Sequence, residues 1–506
     1  MTIKEPITSQ DILDAFLATN GPALSSEIAN HLVKTGFSPA NARKIIQRSG
    51  SAVARLSNIR FAHNEQFLYL KKQYNKAIFW ESLIGAFRAT KSVYGLAVDS
   101  LIARDGAWPV YYFDIISGSP ENLSKHISSS TVLKRLLEIR LIEIVEYPDL
   151  GGLARISSAA IPQLSKVIGK SLRSRLIAED ILLFGLQDWL RKTGIGSWKQ
   201  VKVRVPGTKP KFGQFRWDFS APSFVYPMRI LHRSSARNIN GFVIGDVLLG
   251  RVVEEKDLEY FFTKADMMRS QPKTRPFLAI FVAERFETTA LKKGRNKGLL
   301  LLTTETIFGN EVASGLSELI QVLNNAAAKI DSNPAVVPEL FKKLDGLKGA
   351  SLNTRGWLFE LLTAYLLKAD GWHIISVGEL RKDPSTGELA EVDVLAARGT
   401  SVVAVECKGY FTNEVTKEEV EKWLTKSVPR IRSSLLSEQS YQSKEIEFTF
   451  WTSSKFSTDA VAYLEARKKE ILKYRIAWKA GLEIMKYAKE TGNGYASRIL
   501  LEQYGL

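Results

Sequence analysis

Three charged residues stand in or beside two runs that otherwise read as buried strands. EVDVLAA (391–397) and SVVAVEC (401–407) are dense in apolar and β-branched residues, and Gly399-Thr400 between them reads as a hairpin turn. Asp393 and Glu406 lie within these runs, and Lys408 follows directly. A core rarely keeps such groups unpaired, because taking a charge out of water is costly. Side chains alternate along a strand, so Glu406 and Lys408 share one face and Cys407 takes the other. Two carboxylates and an ammonium converging on one hairpin describe a hard-cation site with a lysine beside it. A salt-bridged pair at a strand end is the plainer reading. Against it stands a helix predicted over 353–369, where Glu360 lies among Trp357, Leu358, Leu361, Leu362, Tyr365 and Leu366 at helical spacing. An acid on that apolar stripe points toward the sheet.

The rest of the chain must position these groups. At 506 residues it is too long for one ordinary domain, so three or four are expected. Hydrophobic residues make up 45%, with ten Trp, which is enough for real cores. Lys and Arg number 70 against 53 Asp and Glu, a net charge of +17 that favours a polyanionic partner, most simply nucleic acid. Cys407 is the one cysteine, which excludes an intrachain disulfide and a Cys-rich zinc site. His31, His63, His126, His232 and His373 show no ligand spacing. Residues 1–20 lack the apolar core of a secretory leader, and no run of 18 apolar residues occurs, so a cytoplasmic protein with no membrane partner is expected.

Two similar modules are expected at the N-terminal side, 1–74 and 75–158. In the first, Ser9 is placed to cap a helix over 10–19, Ser25-Ser26 starts a second, and Ser38 with Pro39 starts a third, PANARKIIQRSGSAVARL. The third carries Arg43, Lys44, Arg48 and Arg55. IRFAHNEQFLYLKK then reads as a hairpin with HNEQ as its turn. Three short helices and a hairpin resemble a winged helix-turn-helix, which implies Arg43, Lys44 and Arg48 as DNA-binding residues on the recognition helix. In the second module a long helix (76–104) is followed by SSSTVLKRLLEIRLIEIVEY, a PDLGG turn and the strand LARIS, a similar ending. Winged helices also dock partner proteins and act as spacers.

Residues 170–330 read as a decayed copy of the C-terminal region. RWDFSAP (216–222) parallels EVDVLAA, with Asp218 at the place of Asp393. GFVIGDVLLG (241–250) parallels VVAVECKGYF, with Ile244 at Glu406 and Asp246 at Lys408. LEYFFTK parallels VEKWLTK, and FLAIFVAERFETTAL parallels EFTFWTSSKFSTDAV. On this alignment one acid survives, the lysine is gone, and the copy is inactive. In the C-terminal unit, 345–506, a helix with a break at Pro429, a strand at 447–454, a helix from Thr458 and a basic helical tail over 467–498 are expected.

A helix bearing Glu360, then Asp393, then Glu406-Cys407-Lys408 resembles the PD-(D/E)xK nuclease superfamily. The Glu-Val-Asp strand and the TSSKFSTDAV block look most like its Mrr-like restriction-endonuclease branch, close also to the archaeal Holliday-junction resolvases. The likeness covers 350–465 well and 172–310 weakly. Val392 stands where the signature has proline. Together with the two winged-helix-like modules, which this resemblance does not cover, the expected chain is multidomain α/β and α+β: two winged-helix domains, then two tandem restriction-endonuclease-like domains, the first degenerate. The resemblance implies DNA as partner and Mg²⁺ (or Mn²⁺) held by Asp393, Glu406 and the Cys407 carbonyl. Lys408 would orient or help deprotonate the attacking water, and Glu360 would hold a metal-bound water or a second cation. Glu391, on the face of Asp393, is then a secondary ligand or simply a charge at the strand's exposed end. A restriction or phage-defence setting follows by the same analogy. One working site leaves double-strand cutting to a homodimer, a larger assembly or successive nicks. A binding subunit that uses nuclease folds as a clamp is the competing reading, and the same chemistry on RNA or branched DNA a third.

Overall fold

The structure is a computed structural model that describes residues 9–59, 61–119, 127–147, 150–164, 169–229, 239–345, 347 and 352–506. His126, His232 and the start of the expected PDLGG turn (Pro148, Asp149) lie outside the described residues.

The first unit runs helix Ser9–Asn20, strand Ala23–Leu24, helices Ser25–Lys34 and Pro39–Gln47, and strands Val53–Arg55 and Phe67–Leu70. Its antiparallel sheet has the last strand in the middle. The second unit repeats that succession: helix Val93–Ala103, strand Ala107–Pro109, helices Phe113–Ile116 and Ser129–Glu138, strands Ile142–Tyr147 and Gly151–Ile156, again with the last strand central. Ser38 caps its helix as the sequence indicates, its Oγ accepting the Asn41 N–H at 3.3 Å. Ser9 is instead the first helical residue.

Two helices are shorter than their patterns predict. The third ends at Gln47, and Val53–Arg55 leaves to pair with Tyr69 and its neighbours. Arg55 folds back, and its Nη2 donates to the terminal carbonyls of Ile46 (2.7 Å) and Gln47 (3.2 Å). Ladder pairing of a β-branched residue outweighs a weak helical preference after Ser49-Gly50. The stretch 76–104 is two helices, Ala77–Ala89 and Val93–Ala103. Lys91 turns left-handed (φ 48°), and Ser92 opens a new N-terminus by accepting the Gly95 N–H at 3.1 Å.

Two five-stranded mixed sheets follow, one in each half of the remaining chain. The first has the order Lys202–Val203, Phe219–Ser223, Gly241–Val253, Phe277–Phe286, Leu300–Thr303. The second has the order His373–Lys382, Leu389–Arg398, Ser401–Lys408, Glu445–Thr452, Arg475–Lys479. In both, the first three strands pair antiparallel and the last three parallel. The chain is thus a multidomain α/β protein whose two larger sheets share one topology. The tail expected to be helical contributes the last of these strands, because Ile476 and Trp478 alternate toward a sheet face that would otherwise end at an open edge. Strand His373–Lys382, also unanticipated, turns the hairpin into a meander. At the expected break, a π-turn over Trp423–Ser427 lets Pro429 sit in the first turn of helix Val428–Ser437.

Each sheet is preceded by a helix, Gly169–Lys192 and Leu352–Ala369, and these two helices touch. One apolar cluster runs through both halves, with Leu182, Leu186 and Leu319 from one and Leu361, Leu366 and Leu500 from the other. Helix Gly169–Lys192 is buried on almost every side, as expected for a helix between two units rather than on a surface. Among the described residues no helix is long and apolar enough to cross a membrane.

Candidate active site

The hairpin ladder pairs Val394 with Val405, and one further step sets Asp393 across from Glu406. There the strands part, and Asp393 Oδ2 accepts the N–H of Cys407 at 2.6 Å. Lys408 Nζ lies 2.7 Å from Glu406 Oε1. Burial by itself would depress the Lys408 ammonium, but the Glu406 and Asp393 carboxylates hold it well above its ordinary range. Lys408 is therefore a fixed cation in this arrangement. The Cys407 side chain turns the other way and is buried against Thr363, with Sγ 3.6 Å from Oγ1. Burial, then the Asp393 charge, pushes its thiol well up.

The strand end is held against the helix start by close packing. A Cβ on Gly409 would lie 2.4 Å from the Arg355 carbonyl oxygen, so only glycine lets Lys408 come this near to the helix. That helix brings Glu360, 7% exposed, to the same place. Asp393, Glu360, Cys407 and Lys408 line one cavity of about 510 Å³. Glu406 is not among the residues that line it, and its carboxylate pairs with Lys408 at the cavity's edge of the strand.

The cavity walls come from three parts of the chain. Pro109, Tyr111 and Tyr112 of the second N-terminal unit form one side, and Arg173 and Asp180 of helix Gly169–Lys192 another. Arg173 Nη1 pairs with Glu391 Oε1, Nη2 lies 3.7 Å from Glu360, and the guanidinium stacks on Trp357 with its carbon 3.2 Å from the ring centre. Glu391 is thus an inward, ion-paired acid and not a charge at an exposed strand end. Sequence reasoning missed Arg173. The available signal was a pair of arginines, Arg173 and Arg175, interleaved with Leu172, Leu176 and Ile177 near the start of a long helix, where each needs an acid if buried.

The first copy requires a correction. Its ladder pairs Phe219 with Gly245, so the step that sets Asp393 across from Glu406 sets Asp218 across from Asp246. Asp218 Oδ2 accepts the Val247 N–H at 2.9 Å, as Asp393 does that of Cys407. Asp246, not Ile244, therefore stands at the place of Glu406, and Leu248 at that of Lys408. Two acids survive instead of one, with Glu179 on the helix before the sheet. The two-residue error arises because period 2 preserves the face of a strand but not its register.

Cations fill this second cluster. Arg204 bridges Asp218 (2.9 Å) and Glu179 (3.0 Å), Arg104 of the second N-terminal unit stands 3.7 Å from Asp218, and Lys264 lies 3.4 Å from Asp246. All six side chains are fully buried. Burial drives the Asp246 carboxyl up and the Lys264 ammonium down, each partly offset by the other.

Arg43, Lys44 and Arg48 lie elsewhere, exposed on or just beyond helix Pro39–Gln47, whose Ala42, Ile45 and Ile46 are buried. None of the three lines the cavity.

No protein-family model matches this sequence, and no curated protein does. Among solved structures the chain is similar to a protein of unknown function, AF1548, at 16% identity over 27% of this chain and 67% of that one, with a TM-score of 0.20. It is also similar to restriction endonuclease FokI, at 12% identity over 90% of this chain and 81% of that one, TM-score 0.21. FokI bound to DNA gives 11% identity, 92% and 81% coverage, and a TM-score of 0.22. Likenesses this low carry no weight for fold or function, which rest on the geometry above.

Proposed function

We propose that the chain is a metal-dependent DNA endonuclease of the PD-(D/E)xK kind, with Asp393, Glu406 and the Cys407 carbonyl as metal ligands and Lys408 and Glu360 as their catalytic partners. The observation that carries this reading is the contrast between the two copies. Asp218 and Asp246 are sealed under Arg104, Arg204 and Lys264, whereas Asp393 opens with Lys408 onto a cavity of about 510 Å³. The donor set fits Mg²⁺, or Mn²⁺, which takes one or two carboxylates and keeps its waters rather than needing an all-protein cage. Among the described residues no three His, Cys, Asp or Glu side chains form such a cage. When bound, the ion supplies positive charge against a phosphate and a more acidic water. Lys408 would orient or help deprotonate that water and offset charge growing on the phosphate. The Cys407 N–H fixes Asp393, and Glu360 receives a water at the cavity wall.

The two N-terminal units serve in this reading as winged-helix modules, with Arg43, Lys44 and Arg48 on the DNA side of the first. The net charge of +17 supports a polyanionic partner.

The test is incubation of supercoiled, linear, single-stranded and branched DNA with the full chain in Mg²⁺, with and without EDTA. Wild type is expected to cut at least one substrate in Mg²⁺ alone. Asp393→Asn and Lys408→Met are expected to lose at least about 100-fold in rate, the usual worth of a charge-stabilising group. Equal cutting by Asp393→Asn would remove the site assignment. No cutting of any substrate would remove the enzyme reading.

A further inference from the structure

We infer that the working site is composite. Arg173, carried by the helix of the decayed copy, takes the place of a second cation beside Asp393, so that the site accepts one divalent ion and not two. This rests on the metal-site reading above and goes beyond it, because it gives the inactive copy a part in the active one.

The contacts are specific. Arg173 is 5% exposed and inside the cavity wall. Its two terminal nitrogens address two different acids, Glu391 on the hairpin strand and Glu360 on the site helix. Stacking on Trp357 fixes the plane of the guanidinium, which directs this fork. The neighbouring strand is shaped around it. Gly378 has φ 58°, and a Cβ there would lie 2.7 Å from Arg173 Nη1. One turn earlier on the same helix, Lys170 Nζ donates to the Val377 carbonyl at 3.3 Å, which ties the helix start to that strand. Asp180, Glu360 and Glu391 line the cavity with Asp393, and a second ion would draw on Glu360 and Glu391, the two that Arg173 contacts. An arginine that pairs with both neutralises them with a fixed charge. It does not touch the reacting atoms, so it is a positioning residue. It also explains why a copy that lost its lysine keeps its fold, since the helix that delivers Arg173 is held by the buried cluster of Glu179, Arg204 and Asp218 on its far side.

The experiment counts Mn²⁺ bound to the full chain, by electron paramagnetic resonance of the free ion and by titration calorimetry. Wild type is expected to bind one Mn²⁺, and Asp393→Asn none at that affinity. Arg173→Gln is expected to bind two, Arg173→Lys one, and Arg173→Gln with Glu360→Gln one again. A purely structural role for Arg173 would change melting but not the count. Two Mn²⁺ on wild type would overturn the inference without recourse to any variant, as would a folded Arg173→Gln that still binds one. If Asp393→Asn leaves binding unchanged, the metal-site reading itself fails, which is a separate outcome.

Discussion

Replacing Arg204 with methionine tests whether internal cations have taken over the decayed site. The side chain is fully buried and bridges Asp218 and Glu179. Removing one member of a buried ion pair costs about 3–5 kcal/mol, because the remaining charge keeps its desolvation penalty. Here both acids retain other partners. Asp218 keeps Arg104 at 3.7 Å and the Val247 N–H at 2.9 Å, and Glu179 keeps Arg175 at 3.7 Å and the Leu249 N–H at 3.3 Å. The loss therefore falls at the lower end, about 3 kcal/mol. For a cooperative unit of roughly 150–250 residues, that lowers the melting midpoint by about 6–12 °C. Scanning calorimetry of the full chain reads the shift. Adding Asp218→Asn should recover at least about 1 kcal/mol relative to the sum of the single changes, since the two groups are directly coupled. Mg²⁺ should raise the transition of the C-terminal unit by ligand linkage and leave that of the decayed unit unmoved. A shift below about 2 °C in Arg204→Met, or an Mg²⁺-dependent rise in the decayed unit that Asp218→Asn abolishes, would refute the idea that arginine has replaced a metal there.

Three other perturbations have defined outcomes. The Asp180 carboxyl is raised to about 7, chiefly by burial and against the pull of Arg204. The folded state then holds a proton that the unfolded chain releases near its ordinary value, so stability falls as pH rises from about 4 to about 7, by up to roughly 1.4 kcal/mol per unit. Asp180→Asn should remove that slope, and melting curves that stay parallel to wild type across this range would count against it. Changing Arg43, Lys44 and Arg48 together to alanine should weaken DNA binding and flatten the dependence of log K on log salt, by up to about 0.9 for each phosphate no longer neutralised; an unchanged slope would place the DNA elsewhere. The Cys407 thiol, buried and held protonated, should resist a thiol reagent in the native protein and react fully in denaturant, and rapid native labelling would contradict its packing against Thr363.

Much of the candidate site is legible in the sequence because its signal is local. Acids and a lysine inside β-branched runs are anomalous against their immediate neighbours, and period 2 fixes which of them share a face. The helix bearing Glu360 is legible from its apolar spacing for the same reason. The ends of elements are less so. Local patterning overextends the third helix, the 76–104 helix and the basic tail, because strand pairing with distant segments and one left-handed residue at Lys91 override modest helical preference.

The sequence alone singled out Asp393, Glu406 and Lys408 as the candidate site, carried the charge that favours a nucleic-acid partner, and pointed to two related halves, whose sheets share one topology. Tertiary structure decided which residue of the decayed copy faces which, since register is set by pairing across strands and not along them. It also decided that Arg173 would meet Glu391, a partner 218 positions away, and that Arg104, Arg204 and Lys264 would close the other site. Ion pairs between distant segments leave no periodic trace in a chain. They exist because folding takes those charges out of water together, and each must then find its opposite within a few ångströms.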